Sequence, residues 1–87
     1  MEMSTDTDGN YRGLAKLMLK LPVFRGRLQM LSMRNDDFLS LCGAFEEASV
    51  TLERLRKENG ERNRHAIEEY ENLCLEVEQE IIDMCVG

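Results

Sequence analysis

Tryptophan is absent from this 87-residue chain, and proline and histidine each occur once. Scarce proline alongside 43% apolar residues excludes the polar, proline-rich composition of a chain that stays unfolded. The three cysteines, Cys42, Cys74 and Cys85, are odd in number and irregular in spacing, which excludes a disulfide framework. Each stands among apolar residues at helical spacing, as a reduced thiol that serves as a small core residue. That usage fits a cytoplasmic protein. A Cys42–Cys85 bridge stays open if the fold sets the two side by side. Long hydrophobic runs are missing too. The longest, Leu14 to Phe24, is interrupted by Lys16 and Lys20 and is too short and too charged to cross a bilayer. The first ten residues are acidic and polar, opposite to a signal-peptide start.

Catalytic signatures are also lacking. There is no glycine-rich phosphate loop, no CxxC pair and no nucleophile elbow. His65 has Glu61 four residues before it and Glu68 three after, so the three share a helix face. Ferritin-like di-iron bundles use Glu-x-x-His inside a core. Here the order is reversed and the group adjoins a polar turn, so a solvated face is the reading. The acids at Glu68, Glu69, Glu71, Glu76, Glu78 and Glu80 lack the desolvated partner that paired-carboxylate catalysis needs. No enzyme activity, cofactor or metal ligand is assigned.

What is present is a charge split along the chain. The net charge is −6. Arg12, Lys16, Lys20, Arg25, Arg27 and Arg34 carry +6 between Gly9 and Asn35, with no acid among them. From Asp36 onward fourteen acids face five bases. The basic segment either neutralises the acidic one, within the chain or across a dimer, or reaches an anionic partner. A membrane surface is one such partner. Nucleic acid is disfavoured by the pI of about 4.7 and by the lack of a basic patch interleaved with aromatics.

Periodicity divides the chain into three parts. Residues 1–10 read as a disordered tail. Residues 11–34 read as a basic amphipathic helical segment. Tyr11, Leu14, Met18 and Leu21 form its first apolar stripe, and Pro22 ends or kinks the helix. Phe24, Leu28 and Leu31 continue the phase. Gly13 is read as a weak point in this helix. Residues 35–87 read as an acidic αα-hairpin. Asn35 or Asp36 supplies the N-cap. Phe38, Leu41, Phe45, Ala48, Leu52 and Leu55 step by three and four as a heptad seam. Asn59 and Gly60 make the turn, with Gly60 suited to a left-handed closing conformation. Ala66, Tyr70, Leu73, Val77, Ile81 and Met84 return along the seam. Ile67, Ile82 and Cys85 widen the apolar face beyond what two helices bury.

Asp37-Phe38-Leu39-Ser40-Leu41-Cys42, then Phe45 and Ala48, followed by Glu69-Tyr70 and Glu76-Val77-Glu78-Gln79-Glu80-Ile81, resembles small uncharacterised bacterial helical-hairpin proteins over about residues 36–82. The resemblance implies a helical hairpin in a bacterial cytosol and brings no activity or site residue. The expectation is an all-α protein, an antiparallel hairpin with one or two shorter N-terminal helices, completing a dimeric four-helix-type bundle. Its role is that of a non-catalytic protein–protein interaction or assembly module, a homodimer with an unidentified protein partner. Tyr11, Leu14, Met18, Leu21, Phe24, Leu28, Leu31, Ile67 and Ile82 are the candidate contact residues. A peripheral membrane adaptor using helices 11–33 is the alternative, and a ferritin-like metal assembly a third.

Overall fold

The computed structural model describes residues 2–87, with side chains from Asp8 onward. The described residues form an all-α protein of four helices and one short 3-10 turn: α1 (Glu2–Lys20), the 3-10 turn (Pro22–Phe24), α2 (Arg25–Arg34), α3 (Asp36–Asn59) and α4 (Arg64–Val86). The tail expected over residues 1–10 falls, for the side chains of residues 1–7, outside the described residues. Asp8, Gly9 and Asn10 continue α1 N-terminal to Tyr11, where the apolar repeat begins.

Each break has a local cause. Pro22 cannot donate into a continuing α-helix, so the chain tightens into a 3-10 turn there and restarts at Arg25. Asn35 is extended at the next corner, and its side-chain oxygen accepts from the Phe38 amide at 3.1 Å, capping α3. Asp36 and Asp37 then occupy the first turn, where the helix dipole favours anions. At the far end of α3 the expected left-handed glycine is not found. Gly60 is right-handed, and no residue among those described has a positive φ. Two asparagines tie the α3–α4 connection instead. The Asn59 side chain accepts from the Arg62 amide at 3.2 Å, and Asn63 Nδ2 donates to the Leu55 carbonyl at 3.2 Å. These bonds satisfy backbone groups that a glycine closure would otherwise have served, and they delay α4 to Arg64.

α3 is the central element. α1 packs along one side of it and α4 along another, while the backbones of α1 and α4 stay apart. The Cα trace measures 41 × 33 × 18 Å, a slab rather than a sphere. Leu14, Leu17, Leu28, Phe38, Phe45 and Ile81 anchor one apolar core, and Cys42 and Cys85 are buried within it. Leu17 is fully buried, whereas Tyr11 is half-exposed, so α1 is rotated from the stripe that periodicity places on Tyr11.

Gly13 sets that rotation. A Cβ built on it would lie 1.8 Å from the Cys42 carbonyl oxygen. The two backbones touch there, as only glycine permits. Gly13 is therefore the crossing point of α1 and α3, which corrects its reading as a mere helix weakener. Gly43 plays the reciprocal part, with its missing Cβ standing 2.0 Å from Asn10 Oδ1.

Candidate interaction surface

Charge first ties the helices together. Lys16 Nζ lies 2.8 Å from Glu46 Oε1 and donates to Ser49 Oγ at 3.2 Å, joining α1 to α3. Lys20 Nζ lies 2.8 Å from Glu78 Oε1, reaching past α3 to α4, and sits 5.8 Å from the Phe45 ring centroid. Both carboxylate oxygens are buried and rely on the ammonium groups alone. Arg56 pairs with Glu71 near the turn. Part of the basic segment thus neutralises acids of its own chain. Arg12, Arg25, Arg27 and Arg34 have no carboxylate within ion-pair distance among the described residues and are exposed.

The thiols sit in apolar surroundings. Burial pushes Cys42 up from its ordinary 9.0 to about 12, and the neighbouring Cys85 adds to the rise. Cys74 and Cys85 are also raised, chiefly by burial, with Arg27 opposing the rise at Cys85. All three are free thiols and are held in the protonated form, which is a poor nucleophile. Glu61, His65 and Glu68 are exposed beside the turn. Among the described residues no three His, Cys, Asp or Glu side chains converge to hold a metal ion.

A groove of about 380 Å³ runs between α3 and α4 on the side that α1 leaves open. Ala44, Ala48 and Thr51 form its α3 wall, and Tyr70, Leu73 and Val77 its α4 wall. Leu73 is 42% exposed there, although its seam position calls for burial. The cause is the small side chains opposite, which cannot cover it. Glu47 and Glu69 border the groove and are exposed. A larger depression of about 540 Å³ lies beside Gly9, Asn10 and Gly43, but it adjoins the segment whose side chains are not described.

A second surface lies on the N-terminal segment. Leu19, Val23 and Met33 are 80%, 89% and 81% exposed, and Met30 is 46% exposed. On α2, Arg27, Met30 and Arg34 recur at steps of three and four beside Met33, opposite the buried Leu28.

The sequence-derived contact residues divide accordingly. Leu14 and Leu28 are buried in the chain's own core, and Met18, Leu21, Phe24 and Leu31 pack against it. Tyr11 is half-exposed, and Ile67 and Ile82 are half-buried outside the core. The groove residues Ala44 and Thr51 were not distinguished by periodicity, and Leu73 was placed by it in the seam rather than on an open face. Their signal was a run of small side chains at positions 44, 48 and 51, opposite large ones on the returning helix.

Among the described residues no helix is long and apolar enough to cross a membrane. No family model, no curated protein and no solved structure matches this chain.

Proposed function

We propose that the protein is a small protein–protein interaction or assembly module without catalytic activity, built on an antiparallel α3–α4 hairpin and acting in the cytoplasm. The open α3–α4 groove carries this reading. Its large side chains, Tyr70 and Leu73, remain partly exposed, and its floor is small enough to admit another helix. The dimeric four-helix grouping expected from the sequence would use this same face, because α1 already occupies the other side of α3.

A photoreactive residue placed at Leu73 in the full chain tests the reading in cells. A discrete cross-linked adduct is expected there and not from the outward Arg54. Equal or absent adducts at the two positions would remove it.

The exposed apolar and basic surface of α1 and α2 favours a second reading, a peripheral membrane adaptor. Co-sedimentation with anionic vesicles at low salt tests it. Protein that stays in the supernatant would exclude this role.

A further inference from the structure

The two surfaces described above have opposite chemistry and the same length. On α2, Arg27, Met30 and Arg34 form one stripe with Met33 alongside. Its outer groups are cationic and its middle is apolar and flexible. On α4, Leu73 has Glu69 four residues before it and Glu76 three after, on the same helix face, and Glu47 lines the groove from α3. These three carboxylates are exposed and unpaired among the described residues. The groove thus has an apolar floor and an acidic rim. Seven residues of helix span about 10 Å, which is the distance from Arg27 to Arg34 and equally from Tyr70 to Val77.

Within one chain the two cannot meet. α2 spends its inner face on the core through Leu28 and turns its Met–Arg face away from the body. A second copy has no such constraint. We propose that the α2 face of one molecule docks in the α3–α4 groove of the next, head to tail, with Met30 and Met33 on Leu73 and Arg27 and Arg34 against the acidic rim. This identifies the partner of the groove and rests on the interaction-module reading.

Charge decides between this arrangement and a two-fold dimer. Groove against groove would bring the acidic rims of the two copies, Glu47, Glu69 and Glu76, together, and like charges across an interface oppose association. α2 against α2 would oppose arginines in the same way. Head-to-tail contact is the pairing of these surfaces that joins opposite signs. Being heterologous, it leaves one groove and one α2 face unused at the ends, so it propagates unless it closes into a ring.

Sedimentation velocity of the full chain, with folding checked by circular dichroism, tests the proposal. The wild type should form species that grow with concentration beyond a dimer and shrink at high salt. Met33→Glu/Arg34→Glu breaks the α2 face, and Leu73→Glu breaks the groove. Glu69→Arg/Glu76→Arg is a purely electrostatic groove variant that touches no buried residue. Each variant alone should self-associate about tenfold more weakly or worse. An equimolar mixture of the α2 variant with either groove variant should restore a single one-to-one dimer and nothing larger, because one intact groove and one intact face remain. A wild type that stays monomeric to sub-millimolar concentration would overturn the proposal. So would an α2 variant that dimerises alone as tightly as the wild type associates, which is the mark of groove-to-groove pairing. Cross-linking at Leu73 together with a monomeric purified protein would sink this inference and leave the interaction-module reading standing.

Discussion

Replacing Gly13 with alanine gives the sharpest test of the fold, because two physical effects predict opposite signs. Alanine is the better helix former by about 1 kcal/mol, so in an open helix the substitution stabilises. At Gly13 the new Cβ would stand 1.8 Å from the Cys42 carbonyl oxygen and 2.6 Å from its carbon. Reaching 3.0 Å, the separation that Cβ contacts rarely undercut, requires α1 and α3 to part by about 1.2 Å. A gap of that size forfeits a quarter to a half or more of the dispersion attraction across the crossing, where Leu14 and Leu17 are buried. Overpacking typically costs about 1–3 kcal/mol and occasionally more, and a clash with backbone this deep belongs just above that range, at about 3–4 kcal/mol. Subtracting the propensity gain leaves a net loss of about 2–3 kcal/mol. For a domain of this size that lowers the melting temperature by about 10–20 °C. Urea and thermal unfolding followed by far-ultraviolet circular dichroism measure it. Gly26→Ala is the control. Nothing lies within 4 Å of its Cβ position, so it should be neutral or stabilising by up to about 1 kcal/mol. If Gly13→Ala behaves like Gly26→Ala, the close crossing of α1 and α3 is wrong.

Three further outcomes follow from the same contacts. Asn35→Ala removes the acceptor for the Phe38 amide and should cost about 0.5–2 kcal/mol in urea unfolding, with Asn35→Asp retaining most of the stability. Lys16→Met strands a buried Glu46 oxygen and should cost about 1–3 kcal/mol, while adding Glu46→Gln should recover much of it; a second substitution that adds a full independent loss would refute the coupling. Cys42 holds its proton to about pH 12 in the fold but only to 9.0 when released, so the native state binds more protons between those values. Its contribution is complete below pH 9 and should fall by up to about 1.4 kcal/mol per pH unit above it. Cys42→Ala should flatten the alkaline limb of the stability profile, and an unchanged slope would exclude burial of this thiol as the cause.

The local signals in the sequence proved readable where they depend on near neighbours. Pro22 interrupts the first helix, Asn35 caps α3, and the periodic apolar positions from Phe38 to Leu52 include most of the buried side chains of α3. What escaped the sequence depends on pairs far apart in the chain. Gly13 looks like a weak helix residue until Cys42, on another helix, is brought against it. The rotation that turns Leu17 inward and Tyr11 outward goes with that contact, whereas periodicity alone puts Tyr11 in the apolar stripe. Leu73 occupies a regular seam position, yet it stays exposed because Ala44, Ala48 and Thr51 across from it are too small to cover it. Gly60 offered a left-handed closure that the chain does not use, and the side chains of Asn59 and Asn63 hydrogen-bond the backbone of this connection in its place. The candidate site was legible only in outline. The Met–Arg composition of α2 was visible, but which of its residues face outward was not.

The turn at Gly60–Asn63 also orders the events of folding. Leu55 and Asn63 meet across a separation of eight residues, whereas Gly13 and Cys42 must close a loop of 29. The longer closure costs about 1 kcal/mol more in chain entropy, before any contact repays it. On this ground α3 and α4 are expected to associate first, with α1 docking afterwards. That order predicts that substitutions at the α1–α3 crossing accelerate unfolding and leave the refolding rate nearly unchanged, and a matching loss in refolding rate would refute it.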